Sequence, residues 1–441
     1  KIIFNFTMPI FIGNIFQQFY NMADTVIVGK FVGNAALAAV GACGTLVFLI
    51  IGFLQGVTAG FTVVTAQHFG AGNMKAMKKS VASGAVLTGI VTVILTLLSM
   101  ISMEKVLHLM NTPSDMYGEA YGYIMVICGG IVAQALYNYL ASVLRALGDS
   151  KRPLYFLVIA ALLNIVLDLV FIIVFRMGAA GAAYATVIAQ GISGILCLLY
   201  IAKKVPALYL HREDWEIDKN LAGWQLKIGL PMALQYSITA IGTMMVQSAL
   251  NILGSTLVAA FTAASKIEQV VTQAYVAMGT TMATYGAQNI GAGNVPRIRQ
   301  GFKACTILGI GYSLVAATFI MTVGKYMTYL FVSEDVDIIM SSVDIYLKCI
   351  GFFFIPLAIV NIYRNGIQGL GYGLLPMMAG VAELIGRGVV ARIAARERSY
   401  LGVCLASPAA WVLAGGLLIA MYYYIMNVHM KKIFGDYNQK V

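Results

Sequence analysis

TMPIFIGNIFQQFYNMADTVIVGKFVG, residues 7–33, is an apolar run that contains a single carboxylate, Asp24. A hydrocarbon core about 30 Å thick is crossed by roughly 20 mostly apolar helical residues, and this run is long enough only if Asp24 lies within the span. An ionised Asp at that depth costs roughly 2.5 kcal/mol or more. We therefore interpret Asp24 as a carboxylate that takes up and releases a cation or a proton, with a solvated juxtamembrane Asp as the alternative.

The composition of the chain is that of a polytopic helical membrane protein. Of its 441 residues, 60% are hydrophobic and 11% are charged, whereas soluble domains carry about 25% charged residues. The net charge of +11 comes from short basic clusters between apolar runs, which positive-inside topology explains better than nucleic-acid binding. We expect a multi-pass protein in contact with lipid and not with nucleic acid.

The cysteines and histidines form no pattern typical of a metal site or of a redox centre. The six cysteines lie in or beside apolar runs without CxxC spacing, and the four histidines are scattered without an HExxH motif. We interpret the cysteines as small buried hydrophobic residues. No catalytic residue, enzyme activity or cofactor is expected.

Apolar runs between polar breaks predict an all-α protein with twelve transmembrane helices. The breaks after the second, fourth and eighth spans are rich in Lys and Arg, so both termini are expected in the cytoplasm. The arginines between the last two spans are an exception to this topology. The candidate spans are 4–28, 35–67, 80–101, 119–147, 153–175, 179–201, 223–252, 256–289, 301–323, 342–370, 374–395 and 400–427.

An internal repeat relates the two halves of the chain. Residues 66–73, AQHFGAGN, recur as AQNIGAGN at 287–294, an offset of 221, and Pro9 recurs as Pro231, an offset of 222. Each half contains six spans, so the halves should be related by an axis along the membrane normal. The expected domains are an N-terminal lobe at 1–202, a cytoplasmic linker at 203–222 and a C-terminal lobe at 223–441.

Four polar side chains mark the first lobe. Asn164 and Asp168 are four residues apart on one face of the fifth span, Thr186 lies in the sixth and Asp24 in the first. Carboxylate, amide and hydroxyl oxygens suit a small hard cation, and two carboxyl groups can equally hold a proton. A polar bridge that only holds helices together is the structural alternative.

The repeat provides an internal control for this polar set. At an offset of 221 or 222 for Asp24 and of 223 for Asn164 and Asp168, the two carboxylate positions become apolar in the second half and the Asn164 position becomes an arginine. A bridge required by the architecture would recur in both lobes, so its confinement to one lobe favours a dedicated coupling site. The corresponding residues are Met245 or Val246 for Asp24, Arg387 for Asn164 and Ala391 for Asp168.

The second lobe carries charges of its own. Glu383 and Arg387 are spaced i, i+4 on the eleventh span and can neutralise each other. We interpret them as a structural ion pair, with a second coupling site as the alternative. Lys266, Glu268 and Arg364 are expected to face either an inter-lobe cavity or a loop, and the sequence pattern does not decide between the two.

Over nearly its whole length the chain resembles the multidrug and toxic compound extrusion (MATE) family. The resemblance implies two six-helix bundles that form a V around a central cavity. It also implies a bacterial plasma membrane transporter that exports organic, cationic or amphipathic compounds in exchange for protons or sodium ions. The matching motifs are residues 7–33, GAGN after the second and eighth spans, LRALGDSKRPL at 144–154, NIVLD at 164–168, GAAYAT at 181–186 and NGIQGLGYGLLP at 365–376.

The same resemblance implies roles for individual residues. The first helix would bend near Pro9 during transport, and Gln17 and Asn138 would face the substrate. Helical spacing adds Tyr20 and Gln190 to that substrate set. The implied cation or proton coupling residues are Asp24, Asn164, Asp168 and Thr186.

One branch of the family carries acidic residues that this sequence lacks. Related transporters also suggest alternative functions. The acidic residue of that branch in the seventh span is Thr239 here, and the tenth span has no Asp, so a second-lobe sodium site is not expected. The alternative is a lipid-linked oligosaccharide flippase, which should have a strongly cationic cavity, or a specific metabolite exporter. In either case we expect a monomer with small organic substrates.

Overall fold

The computed structural model describes residues 1–332 and 334–435, and this part of the chain forms helices and turns without a β-strand. The long helices of the first half follow one another through short connections. They are α1 (Ile2–Phe31), α2 (Asn34–Gly70), α3 (Met74–Leu109), α4 (Ser114–Gly129), α5 (Ile131–Ala146), α6 (Lys151–Leu169) and α7 (Ala179–Lys204).

The second half begins after two short 3₁₀ turns, Pro206–Leu208 and Arg212–Trp215. A third 3₁₀ segment, Gly324–Leu330, follows α11. The helices of this half are α8 (Lys219–Asn251), α9 (Ser255–Val271), α10 (Gln273–Gly291), α11 (Val295–Thr322), α12 (Val336–Phe352), α13 (Phe354–Gly369), α14 (Leu374–Glu397), α15 (Tyr400–Tyr424) and α16 (Met430–Phe434).

These helices are consistent with the twelve predicted membrane spans. Within the described residues, eight helices are long and apolar enough to cross a membrane, and ten spans result when α4–α5 and α12–α13 each count as one. Those pairs are bent by 46° and 52°, at Gly130 and Phe353, which are related by the repeat offset of 223. Helix α8 and the pair α9–α10 lie at the two remaining predicted spans. The all-α prediction holds, and three predicted spans are each divided into two helices.

Helix bounds repeat between the two halves. α2 starts at Asn34 and the α9–α10 pair at Ser255, and they end at Gly70 and Gly291, an offset of 221 at both ends. α5 and α13 coincide in the same way at an offset of 223. The sequence repeat is therefore also a repeat of structure.

The two GAGN segments are turns that begin the next helix. Gly72 and Gly293 have φ angles of 72° and 68°, in the left-handed region that glycine adopts without a steric penalty. Asn73 Oδ1 accepts a hydrogen bond from the third backbone N–H after it, and Asn294 does the same, both at 3.1 Å. These are N-caps of α3 and α11.

Two compact units make up the chain, and we call them the N-unit and the C-unit. The N-unit is Met8–Tyr236, and the C-unit is Lys1–Thr7 with the chain from Ser237 onward. Helices α1 and α8 therefore each contribute residues to both units. The boundary between the units lies close to Pro9 in α1 and close to Pro231 in α8. The lobe boundaries read from the sequence, at 1–202, 203–222 and 223–441, stay a prediction.

In the N-unit, the first part of α8 is fixed against α2. A Cβ on Gly60 would lie 2.3 Å from the Cα of Gly229, so the two backbones approach more closely than any larger residue permits. Gln225 is fully buried, and its Nε2 donates to the carbonyl oxygens of Phe61 at 3.3 Å and Ser80 at 2.8 Å. Backbone contact and buried hydrogen bonds both hold this segment.

In the C-unit, the first residues of α1 pack against α10. Thr7 Oγ1 and Thr281 Oγ1 are 2.7 Å apart, and Ile3 belongs to the main apolar core of this unit. Tyr275 and Phe302 are among the largest fully buried side chains of that core. The start of α1 is thereby part of the C-unit interior.

Candidate functional site

Three helices of the N-unit position the predicted coupling residues. Asp24 lies in the last third of α1, Asn164 and Asp168 are one turn apart near the end of α6, and Thr186 lies in the first half of α7. After Asp168, α6 continues as a π-helical turn, Val170–Val174, a distortion often found at functional sites. The structure brings these four side chains together.

Hydrogen bonds connect the three helices at this point. Asn164 Nδ2 donates to Thr186 Oγ1 at 3.1 Å. The Thr186 hydroxyl lies 3.4 Å from Asp24 Oδ2 and 3.1 Å from the carbonyl oxygen of Ala182, its two acceptors. The carboxyl groups of Asp24 and Asp168 interact directly. The four residues therefore form one connected polar group.

One oxygen of this group has no partner. Asn164 and Asp168 are 1% and 0% exposed, and Asp168 Oδ1 is buried without a hydrogen-bond partner. A buried polar atom without a partner is unfavourable, and two adjacent carboxyl groups do not both stay ionised without a compensating charge. A bound proton or a hard cation such as sodium satisfies both requirements, and the oxygen ligands fit such a cation.

The predicted substrate residues also lie in the N-unit. Gln190 Nε2 donates to the hydroxyl of Tyr20 at 3.3 Å, and Gln17 forms a side-chain hydrogen bond with the same tyrosine. Gln190 Oε1 and Asn138 Nδ2 are buried without hydrogen-bond partners. Gln17, Tyr20 and Gln190 thus form a cluster. Gln190 offers an unused acceptor, and Asn138 offers an unused donor.

Tyr123 is a neighbour of the coupling group that the sequence did not reveal. Its side chain on α4 interacts electrostatically with Asp24, Asp168 and Tyr20. The sequence gives no signal for it, because the chain has 24 tyrosines and aromatic residues are common in membrane spans. Only the packing of α4 brings this phenol to the carboxyl groups.

The charged residues of the C-unit form a buried cluster. Glu383 Oε1 accepts from Arg387 Nη2 at 2.8 Å, and Glu383 Oε2 accepts from Arg364 Nη2 at 2.6 Å. The three residues are 6–8% exposed. The ion pair predicted from the i, i+4 spacing is present, and Arg364, which the sequence left unplaced, joins it from α13. Glu268 accepts a hydrogen bond from the Tyr346 hydroxyl nearby.

The described residues contain no cluster of three or more His, Cys, Asp or Glu side chains placed to hold a metal ion. All six cysteines are free and buried, as the sequence indicates.

Helix α1 contains Pro9 in its interior. Bending of this helix during transport stays a prediction.

Comparison with known proteins identifies the family. A model of the MatE family matches residues 9–170 and 228–393, which together cover most of the chain. The chain belongs to the MATE family. The two matched segments fall one in each half, in agreement with the internal repeat, and the resemblance found in the motifs is confirmed.

Known relatives cover most of this MATE-family chain. The probable multidrug resistance protein YpnP of Bacillus subtilis is 34% identical over 375 residues, 85% of this chain and 83% of the relative. A protein named FAD transporter from Shewanella oneidensis is 24% identical over 449 residues, 97% of this chain and 94% of the relative. A crystal structure of MATE in complex with MaL6 has a TM-score of 0.92 at 22% identity and covers 98% of this chain and 97% of that chain. The chain is a multi-pass membrane transporter with the MATE fold.

Proposed function

We propose that this MATE-family chain is a cation-coupled antiporter that exports organic, cationic or amphipathic compounds by alternating access. The observation that carries this proposal is the connected group of Asp24, Asn164, Asp168 and Thr186, in which a buried carboxylate oxygen has no partner. The relative named a probable multidrug resistance protein supports the substrate class.

In this mechanism Asp24 and Asp168 bind a proton or a sodium ion, and Thr186 and Asn164 orient the carboxyl groups. Binding drives transport only if the ion has different affinities in the inward-facing and outward-facing states. Asp24 lies on α1, whose first six residues belong to the C-unit and whose remainder belongs to the N-unit. Bending near Pro9 would let occupancy at Asp24 change the helix that both units share.

The substrate is bound by shape, apolar contact and a few polar groups. Gln17, Tyr20, Asn138 and Gln190 supply those polar groups in the N-unit, because Asn138 and Gln190 present an unused donor and an unused acceptor. The protein acts as a monomer in the bacterial plasma membrane, with both termini in the cytoplasm.

The test is efflux of a fluorescent organic cation from proteoliposomes under separately imposed proton and sodium gradients. One of the two gradients should drive efflux by the unmodified protein, which identifies the coupling ion. Asp24→Asn should abolish gradient-driven efflux, because it removes a charge from the coupling group with little change of shape.

A matched control is Asp115→Asn, the same change at an exposed residue in the first turn of α4. It should transport like the unmodified protein. Undiminished efflux in Asp24→Asn, at equal levels of inserted protein, would remove the site assignment.

The relative named FAD transporter defines a second candidate, a specific exporter of an anionic metabolite. Under that candidate, proteoliposomes would export FAD and leave the fluorescent cation inside. Measuring both compounds in one preparation separates the two functions.

A further inference from the structure

The repeat places different side chains in the C-unit at the register positions of the coupling group. Helix α14 begins 223 positions after α6, so Arg387 takes the position of Asn164. The two carboxylate positions are taken by Ala391 and, at the offset of 222 between the prolines, Val246. Val246 and Ala391 are 5% and 3% exposed and belong to one apolar cluster. The C-unit therefore has no carboxylate where the N-unit has two.

Arg387 extends its guanidinium group into the interior of the C-unit instead. The group donates to Glu383, which Arg364 also contacts. Gly242 leaves room for it, since a Cβ at this glycine would lie 2.7 Å from Arg387 Nη1. At an offset of 222 Gly242 corresponds to Tyr20, so a side chain present in the N-unit is missing where the guanidinium lies.

A second carboxylate completes this cluster. Glu268 accepts a hydrogen bond from Tyr346, and Arg387 interacts electrostatically with the same carboxyl group. Two arginines and two glutamates are thus gathered, and in their ordinary ionised forms their charges balance. Removal of either arginine would leave a carboxylate in excess.

We infer that Arg387 is a tethered cation that neutralises the C-unit permanently, as a mobile proton or sodium ion neutralises the N-unit only transiently. This inference rests on the proposed function of the Asp24 site. A guanidinium group keeps its proton in proteins and cannot leave the chain, so the C-unit does not respond to an ion gradient. The transporter therefore couples through one ion site, and Arg387 excludes a second.

The experiment measures cation-dependent thermal stabilisation of the full-length protein in detergent, by sodium titration against choline and by pH titration. A ligand that binds only the folded state raises its stability in a saturable way. The unmodified protein should show one saturable stabilisation, and Asp24→Asn should show none. Asp24→Asn/Arg387→Gln should regain it, because Glu268 then lacks its cation, and adding Glu268→Gln should remove it again.

Arg387→Lys is the matched control, since it keeps a fixed positive charge. In the Asp24→Asn background it should not restore cation-dependent stabilisation, whereas Arg387→Gln should. A folded Asp24→Asn/Arg387→Gln protein without regained stabilisation would overturn the inference. If that variant does not fold, the cation-dependent stabilisation that remains in the Asp24→Asn protein tests the inference.

The outcomes of Asp24→Asn separate this inference from the proposed function. Partial stabilisation that Glu268→Gln removes would show a mobile cation in the C-unit and overturn the inference, while the Asp24 site stands. Full stabilisation that Glu268→Gln does not affect would overturn the Asp24 site, while the C-unit still binds no mobile cation, as inferred.

Discussion

The coupling group of the N-unit and the charged cluster of the C-unit share one pair of corresponding helices, α6 and α14, and differ in what neutralises their charges. In the N-unit, α6 presents Asp168 and Asn164 next to Asp24. In the C-unit, α14 presents Glu383 and Arg387, and every carboxylate oxygen of Glu383 has an arginine partner. The duplication has kept the start of α6 and the start of α14 at the repeat offset of 223 while the buried charges diverged.

This difference shows how a buried charge can be interpreted from what neutralises it. A buried pair of fixed charges is stable when hydrogen bonds satisfy it, and removal of one partner is strongly destabilising. A buried carboxyl group with a free oxygen lacks such a partner within the chain and needs a mobile one. The C-unit cluster is therefore expected to support the fold, and the N-unit group to support coupling.

The largest effect is expected from Glu383→Gln. The change removes the carboxylate that both buried guanidinium groups contact, which should cost about 3–5 kcal/mol of stability. A fall in melting temperature and in the yield of folded protein by size exclusion in detergent would show it. A stable, monodisperse Glu383→Gln protein would contradict a structural role for the cluster.

The matched change in the N-unit is Asp168→Asn. It should abolish gradient-driven efflux and leave the melting temperature within the range of ordinary surface substitutions, because Asp168 has no fixed cationic partner at its Oδ1. Glu383→Gln should therefore lower stability, whereas Asp168→Asn should lower transport, although both changes replace a carboxylate by an amide of the same shape. A large loss of stability in Asp168→Asn would make the two clusters alike.

Gly60→Ala is expected to have the next largest effect. A Cβ here would lie 2.3 Å from the Cα of Gly229, and overpacking of this kind costs about 1–3 kcal/mol. Gly44→Ala on the same helix is the control, since a Cβ there meets nothing within 4 Å. Melting temperatures of the two variants test whether the contact is specific, and equal values would contradict it.

Most of the fold could be predicted from the sequence. Apolar runs set the spans, and the repeated GAGN segments set the register of the two halves because glycine and Asn are required by the turn and the cap. The bends at Gly130 and Phe353 were not predicted, since Phe353 has no local helix-breaking character. The changes between compact units inside α1 and α8 depend on long-range packing, which no local pattern shows.

The candidate site was predictable to a similar extent. Asp24, Asn164 and Asp168 stand out because polar residues are costly in lipid, and the structure brings them together. Tyr123 and the Arg364 contact of Glu383 were not predictable, because a tyrosine or an arginine on another helix gives no sign of its partner. Contacts between distant helices carry this information.

Thr186→Val should have a smaller effect, confined to ion binding. The change removes the hydroxyl that contacts both Asn164 and Asp24 and keeps the side-chain volume. Loss of one such contact costs about 1–2 kcal/mol, so the apparent affinity for the coupling ion should fall about tenfold. The ion dependence of efflux measures it, and an unchanged half-saturation would exclude Thr186 from the coupling group.

The smallest effect is expected where the C-unit makes the same helix crossing by a side-chain contact. The repeat offsets relate Thr7 to Gly229 and Thr281 to Gly60, so a contact between hydroxyls replaces a contact between backbones. Thr7→Val should cost only about 0.6 kcal/mol, the mean for interhelical hydrogen bonds in membranes. The loss of stability is small because the Thr281 hydroxyl keeps a second hydrogen bond, which it donates to the carbonyl oxygen of Ala277.

A double-mutant cycle that combines Thr7→Val with Thr281→Val, measured by melting temperature, isolates the contribution of this pair. A coupling as large as the Gly60→Ala loss would mean that the two crossings are equally tight, and the contrast between the units would then be confined to their buried charges.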